Sequence, residues 1–170
     1  VKQFSNKIAV FCQTGQIHVP APRQHRILNA YIENSVFQVQ APIMGGVFHP
    51  KVWILRFEPQ ETGPIKYRVI CLSRNLTFDK SWDTEVMLDG EVMDRSNAFG
   101  ICRPLSEFVA KLPEIAINNN KPSKQVLKII STISNELLVT QFELPDGFDE
   151  LYFWSLGLES GKKTKSNIFG

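Results

Sequence analysis

His49 and Lys51 flank Pro50 in the run Phe48-His49-Pro50-Lys51-Val52-Trp53-Ile54-Leu55. Ser73 and Asn75 flank Arg74 in Cys71-Leu72-Ser73-Arg74-Asn75-Leu76-Thr77. Both runs read as strands, and side chains two apart on a strand share a face. A phosphodiester repels nucleophiles through its negative charge. A site that cleaves one must neutralise the non-bridging oxygens, hold a nucleophile in line and protonate the leaving oxygen. The neutral ring of His49 is suited to attack phosphorus, forming a phosphohistidine that water then cleaves. Lys51 offers a compact positive charge to the phosphoryl oxygens, and the Ser73 hydroxyl and Asn75 amide donate to the same oxygens. A carboxylate on the far ring nitrogen would fix the imidazole tautomer. Glu85 is the candidate for that role and Asp83 its substitute. No grouping of His, Cys and carboxylates suggests a metal-ligand set, so neither a metal nor another cofactor is expected.

An isolated His-x-Lys means little, because chance supplies one in many chains of this length. The weight here comes from the Gly45-Gly46 break before it and from Ser-x-Asn and Glu at suitable intervals after it. Taken in order, His49-Pro50-Lys51, Ser73-x-Asn75 and Trp82-Asp83-Thr84-Glu85 resemble the phospholipase D superfamily. That family shares His-x-Lys, then a Gly/Ser-Ser-x-Asn turn, then a downstream acidic residue. Ser73-Arg74-Asn75-Leu76-Thr77 looks most like its nuclease-like and prokaryotic branches. The resemblance implies His49, Lys51, Asn75 and Glu85 as catalytic residues, with Lys51, Ser73 and Asn75 binding phosphate. It covers residues 49–85. Two positions depart from the pattern: Arg56 stands where many members carry Asp, and Leu72 where Gly usually precedes the Ser.

Members of the family use two such motifs facing each other, one imidazole attacking and the other protonating the leaving group. This chain carries one, since neither His18 nor His25 has a Lys two positions on. Completion is expected either from a second copy of the chain or from a C-terminal half beyond Gly170. The start at Val1 and the Gly/Lys/Ser-rich residues 161–170 favour the second. The expected activity is metal-independent phosphodiester hydrolysis, nuclease-like, on a nucleic-acid substrate. The alternatives are a phospholipid hydrolase or transferase of the same superfamily, and a non-catalytic half that binds nucleic acid or a partner.

Size and composition fit this reading without selecting it. The 170 residues suit one well-cored domain, taken as residues 1–160, with 161–170 a polar tail. A net charge of +2 supplies no dense basic stripe of the kind a dedicated nucleic-acid binder carries. Cys12, Cys71 and Cys102 form neither a disulfide framework nor a zinc pattern; they read as small buried apolar residues in a reducing, cytoplasmic setting. No apolar run approaches the ~20 residues that span a bilayer.

Strands are expected over residues 7–13, 35–40, 48–55, 65–73, 84–88 and 151–154. Val52-Trp53-Ile54-Leu55, apolar on both faces, reads as a central strand covered from two sides. Residues 58–64 should join it to the next strand as a hairpin, and Asp89-Gly90 should end the strand that begins at Thr84. Helices are expected over residues 23–34, from Pro104 with Leu105, Phe108, Val109 and Leu112 on one face, and from Pro122 with Val126, Ile129, Ile130, Ile133 and Leu137 on one stripe. Asn118-Asn119-Asn120 would be the loop between the last two. Trp53 and Trp82 are expected in the core rather than as stacking platforms. The sum is an α/β fold, a three-layer α/β/α sandwich with a mixed central sheet.

Overall fold

The computed structural model describes residues 7–16, 33–74, 82–117, 121–155 and 157. Within these the chain is mixed α/β, with two sheets and two α-helices. Strands β1 (Val10–Gln13) and β2 (Val36–Val39) form a parallel pair. Strands β3 (Val52–Phe57), β4 (Lys66–Leu72), β5 (Glu85–Val92) and β6 (Thr140–Phe142) form an antiparallel sheet in that order. Helix α1 (Arg103–Lys111) follows a single 3₁₀ turn at Gly100–Cys102, and helix α2 (Lys124–Leu138) runs directly into β6. Among the described residues no helix is long and apolar enough to cross a membrane.

The chain divides into two compact units. The first comprises Val1–His49, Glu107–Thr132 and Trp154–Gly170. Its core packs Val39, Phe48, Leu112 and Ala116 together, with Phe11, Phe108 and Ile115 against them. Strand β2 is flanked by residues 115–117, through Gln40 N–H to the Ile115 carbonyl and Ile117 N–H to the Gln38 carbonyl. Before His49 the chain turns at residues 43–46, where Gly46 N–H donates to the Ile43 carbonyl and Gly45 takes a φ of 77° that favours glycine. The Phe48 ring is buried, and its N–H donates to the Gln13 side-chain oxygen at 2.7 Å.

The second unit comprises Pro50–Ser106 and Ile133–Phe153. One face of its sheet carries Ile54, Arg56, Tyr67, Val69, Leu88, Gly90, Thr140 and Phe142, most of them buried, as the strand period requires. Arg56 on this face makes a two-point ion pair with Glu136 of α2, at 2.6 and 2.8 Å, and the Tyr67 hydroxyl donates to the same carboxylate at 2.5 Å. Arg56 also pairs with Glu58. Burial pushes the Glu136 carboxyl up, but the Arg56 and Tyr67 hydrogen bonds outweigh it and hold the group below its ordinary value. The opposite face carries Trp53, Leu55, Phe57, Ile70 and Met87 beside two cross-strand ion pairs, Arg68–Asp89 and Lys66–Glu91. Between the helices, the buried Ser106 hydroxyl donates to the Ser134 carbonyl at 2.8 Å.

Several sequence expectations change against this fold. The strand expected from residue 48 begins at Val52, leaving His49-Pro50-Lys51 ahead of it. Strand β3 lies at the sheet edge rather than the centre, with Trp53 about half exposed. Asp89-Gly90 is no turn: β5 runs through it to Val92, and glycine is needed there because β6 lies too close for a side chain. Residues 151–154 form no strand, and β6 takes the fourth place in the sheet. Pro104 is the second helical residue of α1, not the first. Of the cysteines only Cys102 is buried; Cys12 is half-buried and Cys71 exposed. Burial pushes the Cys102 thiol up to about 11. The expected helix over 23–34, the loop at 118–120 and the tail at 161–170 fall almost wholly outside the described residues.

Candidate phosphodiester site

Chain separation hides how near the motif segments come within the second unit. Strands β3 and β4 are joined by a hairpin connection, and their register pairs Val52 with Cys71. One step further out, Leu72 N–H donates to the Lys51 carbonyl at 2.9 Å, which sets Lys51 opposite Leu72. The β4–β5 register then sets Leu72 opposite Glu85. Directly opposed residues of an antiparallel sheet share a face. Lys51 and Glu85 therefore flank Leu72 on one face, two strand spacings or roughly 10 Å apart. This row lies at the end of the sheet where β3 begins, β4 ends and β5 begins.

Ser73 follows the last residue of β4 and closes that end. Its N–H donates to the Thr84 carbonyl and its Oγ accepts from Thr84 N–H, both at 3.0 Å. The same hydroxyl makes a long contact of 3.5 Å with Asp83 Oδ1. Arg74 Nε lies 3.6 Å from that carboxylate oxygen. The serine hydroxyl is thus engaged in holding the β4–β5 junction, and Asp83 is drawn to Ser73 and Arg74. Of the two acidic candidates, Glu85 is the one on the face of Lys51.

The remaining motif residues stand as follows. His49 is exposed, lies next to the anchored Phe48, and closes the first stretch of the first unit. Lys51 is half-buried, in the second unit. Asn75 lies outside the described residues, as do His18 and His25. Arg56, where the family pattern calls for an acid, is committed to Glu136 on the other face of β3. The guanidinium sits beside a carboxylate there, so an Asp at this position would face Glu136 with like charge. Among the described residues no group of three or more His, Cys, Asp and Glu side chains could hold a metal ion.

Two residues at this sheet end escaped the sequence reading. Arg74 occupies the variable position of Ser-x-Asn, which the motif treats as silent. Trp82 was expected in the core and is 99% exposed. No signal in the sequence distinguishes an exposed tryptophan from a buried one at a strand start. Nothing matched this chain among protein-family models, curated proteins or solved structures.

Proposed function

We propose that this chain is one half of a metal-independent phosphodiesterase of the phospholipase D type, acting on nucleic acid. The observation that carries the proposal is the row Lys51–Leu72–Glu85; Ser73, one residue beyond Leu72 and paired with Thr84, alternates to the other face of the sheet. The register sets Lys51 opposite Leu72, the residue that precedes Ser73. Lys51 would neutralise the phosphoryl oxygens and Asn75 would donate to them; Ser73, expected from the sequence to donate as well, is instead engaged at the β4–β5 junction. A ring nitrogen of His49 would attack phosphorus as the bond to the leaving oxygen breaks. That oxygen takes a proton from the imidazole of a second His-x-Lys motif, supplied by a second copy of the chain or by a C-terminal half. Water then attacks phosphorus, the phosphorus–nitrogen bond breaks, and the water proton passes to the second imidazole. Glu85 would orient one of the rings. The three-layer α/β/α sandwich belongs to the same proposal; the described residues support it only as far as a mixed α/β chain with two sheets and two helices.

One observation favours the phospholipid reading. The turn preceding His49 exposes Ile43, Met44 and Val47, an apolar surface of the kind a lipid substrate requires. Hydrolysis assays of the complete two-motif assembly in excess EDTA separate the readings. Cleavage of an oligonucleotide but not of phospholipid vesicles supports the nuclease, the converse supports the lipase, and cleavage of neither rejects catalysis.

A further inference from the structure

We propose that the Trp82 indole is a base-stacking platform for single-stranded nucleic acid at the Lys51 end of the sheet. The inference rests on the phosphodiesterase reading above and names the strandedness of its substrate.

Tryptophan is on average among the most buried residues, yet Trp82 is 99% exposed. Its position is held from the C-terminal side. The next residue, Asp83, is drawn to Arg74 and Ser73, and the one after, Thr84, exchanges two hydrogen bonds with Ser73. The indole therefore projects from an anchored segment, three residues from Glu85 and at the same sheet end as Lys51. Among the described residues at this end, Lys51 and Arg74 balance Asp83 and Glu85. These four described side chains thus supply no net charge for capturing a phosphate backbone over a distance. What the sheet end that carries Lys51 and Glu85 offers is a fully exposed aromatic ring. Bases in a duplex already stack on each other, whereas an unpaired base is available to stack on an aromatic side chain, whatever its sequence.

The test is equilibrium binding of a short labelled oligothymidylate to the full chain, read by fluorescence anisotropy. Trp82→Ala should weaken binding roughly tenfold, the order of losing one base–aromatic stack. Trp82→Phe should restore most of it, because a phenyl ring also stacks. The ratio should hold between low and moderate salt, since the contact is not ionic. An abasic oligonucleotide should bind both the parent chain and Trp82→Ala equally. The inference is overturned if Trp82→Ala binds as the parent does, if the abasic strand suffers the same loss, or if the parent binds no oligothymidylate. Hydrolysis of methyl 4-nitrophenyl phosphate, which has no base, by the complete two-motif assembly reads the underlying reaction separately: its absence there would reject the phosphodiesterase and leave the binding ratios to decide the platform. Because the side chain is exposed, Trp82→Ala should unfold at the same temperature as the parent, and matched thermal unfolding curves check this.

Discussion

Replacing Gly90 with Ala should destabilise the second unit by about 2–3 kcal/mol, through steric conflict rather than backbone strain. A Cβ at this position would stand 2.8 Å from each of three atoms: the Gln141 carbonyl oxygen, Phe142 Cδ1 and Thr140 Cγ2. Favourable separations are about 3.5–4.0 Å, so each contact is short by roughly 0.7–1.2 Å. All three atoms belong to β6, which has little room to retreat. Thr140 is fully buried, its hydroxyl donates to the Glu136 carbonyl at 2.9 Å, and its own carbonyl accepts from Cys102 Sγ at 3.3 Å. Strand β6 pairs with β5 at only three positions, so moving it aside would weaken the whole ladder. Acting alone, the loss of glycine's freedom in the unfolded chain would favour Ala by about 0.4–1 kcal/mol. Gly100→Ala isolates that effect, since nothing lies within 4 Å of a Cβ there. In urea titrations Gly90→Ala should lower the midpoint by about 1–1.5 M for a slope of ~2 kcal/mol/M, with the slope unchanged. Gly100→Ala should leave the midpoint level or raise it. A Gly90→Ala chain as stable as the parent would refute the close β5–β6 approach.

Three further outcomes follow from the same structure. Glu136→Gln should destabilise the fold by about 2 kcal/mol at neutral pH, between the values for exposed and buried pairs, because it leaves Arg56 half-buried beside a neutral group. The Glu136 carboxyl is held below its ordinary value, so its contribution is present above the carboxylate range and lost as pH falls through the folded value; the gap between parent and variant should therefore close in acid urea titrations. In a complete, active assembly, Lys51→Met should remove at least ~2–3 kcal/mol of transition-state stabilisation, read as kcat/KM on a diester with unfolding midpoints unchanged. The 170-residue chain held as a monomer should show almost no turnover, with activity rising on self-association or on adding a C-terminal half; full turnover by a strict monomer would remove the half-site account.

How much of this was legible in the sequence depended on what each segment packs against. The β3–β4 hairpin was readable because residues 58–64 are polar and carry Pro and Gly between two apolar runs. The stripes of α1 and α2 were readable because their apolar residues recur at the helical period, and Val126, Ile130 and Leu137 are buried as that period requires. Asp89-Gly90 misled because the same dipeptide marks hairpin turns, whereas here Gly90 answers to β6, whose approach no local pattern announces. Strand β6 follows α2 without any turn signal and is only three residues long, so it left no trace of its own. The apolar run at 151–154 looked like a strand, yet Tyr152 and Trp154 are largely exposed. At the candidate site, residue types and spacing suggested the chemistry, but the choice between Glu85 and Asp83 needed the strand register. The exposure of Trp82 depends on what surrounds it in space.

The most direct test of the central claim is to trap the covalent intermediate. A labelled diester is incubated with the complete protein in excess EDTA, quenched under alkaline conditions that preserve phosphohistidine, and the peptides are read by mass spectrometry. The account predicts an acid-labile phosphoryl adduct on His49, absent from His49→Ala. Diester cleavage that proceeds at full rate in His49→Ala, or that EDTA abolishes and Mg²⁺ restores, would contradict it.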